Sequence, residues 1–119
     1  MSTARQRAQG QAATRLTHSN SRFLYWTPAQ MVVHHTTNGC NLQPGDLMGT
    51  GTVSAAERSG FGCFRELGMN GTTPFQVGEE TRYWAEDGDE VTLRGYAQRQ
   101  DFARIGFGDC AGLVLPALT

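Results

Sequence analysis

Glu66 is the side chain in this 119-residue sequence with the most to offer chemically. It stands in Cys63-Phe64-Arg65-Glu66-Leu67. Read as a strand, that run puts the carboxylate on the same side as Phe64 and Gly68. A carboxylate sharing a face with an aromatic is either solvated or deliberately buried. If buried it needs a partner, and an imidazole N–H is a common one. Both readings stay open on the residues alone. A second candidate is Gly49-Thr50-Gly51-Thr52. It lacks the GK[ST] ending of a phosphate loop and no helix signal follows it, so a nucleotide site is a poor fit. Two glycines let backbone approach a small ligand, and a threonine hydroxyl can bond a carboxylate or carbonyl oxygen. The competing reading is a strand edge whose threonines face water.

Other combinations are weaker. His34 and His35 are adjacent on a predicted helix, about 100° apart, and no HxxxH accompanies them, so they are poorly placed to grip one metal. One is expected to pack or cap and the other to meet solvent. The acidic runs Glu79-Glu80 and Glu86 to Glu90 lack the register of a calcium loop. Cys40, Cys63 and Cys110 are odd in number and widely spaced, which disfavours a disulfide framework or zinc ribbon. They are expected to be buried thiols in a reducing compartment, with the cytoplasm as the location.

The elements that must hold these residues come next. Thr27 suits an N-cap, Pro28 the first helical position and Gln30 the closing member of a capping box. Ala29, Val32, Val33 and Thr36 share one helical face, and Asn38-Gly39 ends the helix. Strands are expected at Leu47 to Ser54, Cys63 to Met69, Thr72 to Val77, Arg82 to Ala85, Glu90 to Ala97, Arg104 to Phe107 and Leu113 to Leu115. Asn70-Gly71 is expected as a hairpin turn. The prediction is mainly β with one short helix, in a sandwich or roll.

Composition narrows the function classes. All eleven acidic residues lie at Asp46 or beyond, while residues 1–45 carry four of the ten basic residues, all of them arginine, and all three histidines. An acidic bulk argues against nucleic-acid binding, and no window approaches the ~20 apolar residues of a bilayer span. Residues 1–20 read as a flexible or linker-like segment and residues 21–119 as one domain. The opening stretch lacks the apolar region of a secretory signal. It admits three readings: transit peptide, interior linker, or disorder to about Asn20.

Tyr25-Trp26-Thr27-Pro28 through Ser54, and Arg104-Ile105-Gly106-Phe107-Gly108-Asp109-Cys110 through Leu118, resemble the C-terminal part of the fumarylacetoacetate hydrolase family. The intervening FG…EL…NGTTP and DGDEV…GY are similar at matching spacing. The resemblance covers nearly the whole chain from Gly10 onward, which favours a C-terminal fragment over a transit peptide. It implies part of the mixed β-roll or sandwich of that family's C-terminal domain. The implied activity is hydrolysis of the carbon–carbon bond of fumarylacetoacetate to fumarate and acetoacetate, in tyrosine and phenylalanine breakdown. The substrate is then a small diketo acid, and the complete protein a homodimer without nucleic-acid or membrane partners. By the same resemblance Glu66 matches the carboxylate that orients a water-activating histidine. Thr52, with Gly51 beside it, matches the substrate-binding threonine. The Ca²⁺ or Mg²⁺ of the complete site, and the histidine itself, have no counterpart here, so no metal ligand is assigned and the isolated chain is expected to be inactive. Ala55-Ala56 and Arg65 depart from the family's usual residues. The rival reading is a catalytically incomplete β-domain, or pseudoenzyme remnant, that binds a ligand or partner.

Overall fold

Hydrophobic burial is concentrated in a small region. In the computed structural model, which describes residues 1–118, Met1, Leu67, Phe75 and Val77 form the buried core, with Leu16, Phe64, Ala85 and Val91 packed against it. The radius of gyration is 17.3 Å, where a compact chain of this length has about 13–14 Å. The exposed surface is 9329 Å², against about 6,300 Å² for a folded monomer of this mass. Much apolar side chain therefore remains uncovered, including Leu93, Ile105 and Phe107.

Three α-helices are described: α1 (Ala4–Ala8), α2 (Pro28–Thr36) and α3 (Phe64–Leu67). Four strands follow: β1 (Phe75–Val77), β2 (Glu80–Arg82), β3 (Glu90–Ala97) and β4 (Ile105–Leu113). They form two antiparallel hairpins, β1–β2 and β3–β4. The architecture is thus small helices with antiparallel pairs, not the mainly β chain with a single helix that the sequence suggested.

The tight hairpin lies one element later than expected. Val77 pairs with Glu80, leaving a two-residue turn whose first member, Gly78, has φ +62°. Positive φ there, followed by an ordinary residue, is the pattern of the type II′ turn that suits strand twist. The Asn70-Gly71 signal serves another purpose. Met69, Asn70 and Gly71 are all left-handed, at φ +48°, +57° and +82°, and they reverse the chain after α3. Asn70 N–H returns to the Arg65 carbonyl at 2.9 Å and Thr73 N–H to that of Gly68 at 2.9 Å.

The β3–β4 hairpin agrees with the expected Glu90 to Ala97 strand and merges the two expected closing strands into one. Arg94 opposes Asp109 and Tyr96 opposes Gly106, with a register shift between them. Gly108, at φ +81°, supplies the left-handed residue of the resulting bulge. On the other edge of β3, Ser2 and Glu90 exchange two 2.9 Å backbone hydrogen bonds. Residues 1–20, expected to be flexible or linker-like, therefore begin with a bridge to β3 and a capped helix, and Thr3 and Gln6 are buried.

Three further expectations change. Leu47 to Ser54 forms no ladder, and no strand is assigned to the segment. Helix α2 begins with the anticipated capping box, in which Gln30 N–H donates to Thr27 Oγ1 and Thr27 N–H to Gln30 Oε1. Its apolar face is uncovered, however, and His34 and His35 are both exposed. Neither packs. Cys40 and Cys110 are exposed and Cys63 half-buried, so the thiols are not core residues.

Candidate active site

The segment Cys63 to Met69 was expected as a strand and contains a helix instead, which changes what positions Glu66. Phe64 and Leu67 are three apart and share a helical face. Phe64 stacks on Phe75 with ring centroids 5.7 Å apart, and Leu67 is buried. The pair anchors α3 to the core and leaves Glu66 half-buried off that face.

Its carboxylate is held by specific donors. Ser54 Oγ donates to Glu66 Oε2 at 2.6 Å. Gly62 N–H donates to the same oxygen at 2.9 Å and to Ser54 Oγ at 3.1 Å. The Ser54 hydroxyl, foremost, holds this carboxyl below the ordinary carboxylate range. Partial burial opposes it, and the Gly62 amide and Cys63 add to it. Such bonds favour the charged form, so Glu66 is an anion ready to accept at neutral pH.

Glycine at position 62 gives this geometry room. A Cβ there would lie 3.0 Å from Ser54 Oγ, 3.0 Å from the Val53 carbonyl oxygen and 3.1 Å from Thr52 Cβ. A side chain at 62 would therefore crowd residues 52–54 by a few tenths of an ångström. Ser19 Oγ bonds the Val53 carbonyl from the other side, and Ala55 N–H bonds the Gly60 carbonyl at 2.9 Å.

Gly51, Thr52 and Val53 line an open cleft of about 620 Å³ together with Gly62, Cys63 and Phe64. Gly51 has φ +72° and nothing near its Cβ position, so its backbone is open to an approaching group. Thr52 is exposed. Glu66 is not itself a wall residue, but Gly62, which binds its Oε2, is. The structure thus brings Ser54, Gly62 and Glu66 together beside the Gly51–Thr52 wall. His34 and His35 are not part of the group.

His18 was missed by sequence reasoning. It lines the same cleft, with Nε2 3.2 Å from the Tyr96 hydroxyl and the two rings nearly parallel. Arg104 lies over the Tyr96 ring at 3.7 Å. A lone histidine in a polar run has no spacing to betray it. Among the described residues no histidine hydrogen-bonds to Glu66. Arg65 turns away, its Nε on Asn70 Oδ1 at 2.7 Å, and does not engage the carboxylate.

The chain therefore has the outline of one wall of a small-ligand cleft: a fixed anion, a free hydroxyl and an accessible backbone. Compared with known families, residues 8–114 match the fumarylacetoacetate (FAA) hydrolase C-terminal model. The chain is 51% identical over 110 residues to a fumarylacetoacetase of Bos taurus, covering 92% of this chain and 26% of that protein. It is 51% identical over 109 residues to the Homo sapiens fumarylacetoacetase, covering 91% and 26%. The Arabidopsis thaliana fumarylacetoacetase is 46% identical over 102 residues, covering 86% and 24%. The chain belongs to the fumarylacetoacetate hydrolase C-terminal family, and it spans about a quarter of the length of these relatives.

Among the described residues no group of three His, Cys, Asp or Glu side chains is placed to hold a metal ion. The side chains present therefore do not make a divalent-cation site by themselves. No described helix is long and apolar enough to cross a membrane.

Proposed function

We propose that this chain is the C-terminal catalytic portion of a fumarylacetoacetate-cleaving hydrolase of tyrosine and phenylalanine breakdown. What supports the reading is the Glu66 carboxylate, tied through Ser54 and Gly62 to the segment that carries Thr52 and Gly51 into an open cleft.

Water is a weak nucleophile at neutral pH, and a general base raises its reactivity. Glu66 would accept the N–H of a histidine supplied from outside these residues, fix its tautomer and stabilise the imidazolium that forms. The activated water adds to the ketone carbon, and the tetrahedral oxyanion collapses with cleavage of the adjacent carbon–carbon bond. Fumarate carries the new oxygen, and the enolate of acetoacetate departs and takes up a proton. Thr52 Oγ1 and the Gly51 backbone would hold one end of the substrate, so that carbon and water meet in a productive geometry. The Ca²⁺ or Mg²⁺ that the family implies would be held by residues outside this chain. In the same reading residues 21–119 complete the family's β-roll, and the whole protein is a cytoplasmic homodimer that binds neither nucleic acid nor membrane. The 119 residues alone would not turn over substrate.

The test is a chimera in which this chain replaces the matching quarter of the bovine relative. It should cleave fumarylacetoacetate, and Glu66→Gln should lower kcat by roughly a hundredfold or more with little change in KM. A folded but inactive chimera, or unchanged turnover in the Gln variant, would overturn the proposal.

A further inference from the structure

The hydrogen bonds around Glu66 carry a second conclusion. A glutamate side chain has three rotatable bonds, and one on a four-residue helix has little nearby to restrain it. The two close donors both land on one oxygen, Oε2, from Ser54 Oγ and Gly62 N–H. The neighbouring cations contribute no bond. Arg65 is engaged with Asn70, and Arg58 donates to the carbonyls of Leu67 and Pro74. Ser54 is itself braced, because Gly62 N–H also donates to its hydroxyl. That hydroxyl therefore points its own proton at the carboxylate and not elsewhere.

We propose that Ser54 is the positioning residue of this site: its hydroxyl, braced by Gly62 N–H, fixes Oε2 of Glu66 so that Oε1 is presented to the imidazole of the base. The proposal rests on the role given to Glu66 above and deepens it. It also explains why the substrate wall and the base-orienting carboxylate stay in register. Thr52 and Ser54 lie two residues apart on one stretch of chain, so whatever moves the substrate hydroxyl moves the anchor of Glu66 with it. A positioning group of this kind acts on turnover more than on binding.

Two measurements test it. In the chimera labelled with ¹³C at the glutamate carboxyls, the Gly62 amide proton should titrate together with Glu66, without any mutation. Ser54→Ala should move the Glu66 midpoint up toward the ordinary carboxylate value, and Ser54→Thr, which keeps a hydroxyl, should restore it. In the chimera, Ser54→Ala should lower kcat roughly ten- to a hundredfold, as loss of an outer hydrogen-bond partner commonly does, with KM nearly unchanged, and Ser54→Thr should recover most of it. An unchanged Glu66 titration in Ser54→Ala, or a Gly62 amide that ignores the carboxylate, overturns the role of Ser54 alone. An inactive folded chimera, or a Glu66→Gln variant with full turnover, overturns the role of Glu66 and the positioning of Ser54 with it.

Discussion

Arg82 on β2 links the first hairpin electrostatically to Asp89, at the entry to the second. Its Nε lies 2.9 Å from Asp89 Oδ2 and its Nη2 3.2 Å from Oδ1, a two-pronged contact. The side chains are 11% and 1% exposed. Glu86, at 3.3 Å, and Glu80, at 3.5 Å, flank the same guanidinium. Arg82→Met would keep the aliphatic stem and leave Asp89 buried, with the Glu86 backbone N–H at 2.9 Å as the remaining donor to its carboxylate. Stranding one partner of a buried pair costs about 3–5 kcal/mol, and we expect the upper half of that range here. Asp89→Asn should cost less, near the lower end, because Arg82 keeps Glu80 and Glu86. Replacing both by apolar residues of similar volume should cost clearly less than the sum, with a coupling of about 2 kcal/mol or more. Urea unfolding of the chimera, followed by circular dichroism, measures these values, with the slope checked for constancy. Additive single effects, or a loss below about 1 kcal/mol for Arg82→Met, would mean that the pair behaves as an ordinary surface bridge.

Other outcomes follow from single sites. Val77 is fully buried, so Val77→Ala should cost about 2 kcal/mol in the same urea assay, from lost burial and the cavity left behind. Gly71→Ala combines a left-handed backbone with a Cβ 2.6 Å from Trp84 Nε1; it should destabilise the turn after α3 by about 1–3 kcal/mol, with a change in tryptophan fluorescence. Glu66 titrates below its unfolded value because Ser54 stabilises the anion. Its contribution is therefore fully present above the unfolded carboxylate value and is lost as pH falls through the lower folded one. Glu66→Gln should flatten that part of the acid limb of the stability curve. With so small a core, the isolated chain should melt broadly and self-associate as concentration rises, which sedimentation across a dilution series would show. A sharp, concentration-independent melt as a monomer would contradict this.

Local chemistry was the most legible part of the sequence. Thr27, Pro28 and Gln30 announce α2 because a capping box and an N-terminal proline act within four residues. The alternation over Glu90 to Ala97 announces β3. Cys63 to Met69 misled because four residues are too few for a helical period to show, and the Asn-Gly pair that normally signals a hairpin instead reverses the chain after α3. Leu47 to Ser54 has the composition of a strand, but a strand exists only when a neighbour pairs with it, and pairing cannot be read from the segment itself. Glu66 and Thr52 could be singled out by residue type and resemblance. Ser54 and Gly62 could not, since their importance lies in a contact across eight residues of loop. His18 meets Tyr96 across a still longer separation.

The uncovered surface changes how this chain should be read in a mutational scan. About 3,000 Å² more area is exposed than a compact monomer would leave, well above a standard protein–protein interface. In a longer protein, positions such as Leu93, Ile105 and Phe107, open to water here, would lie against neighbouring chain. They should then tolerate substitution as interior residues do, with polar replacements tolerated least. Solvent exposure in this stretch is therefore a poor guide to mutational freedom.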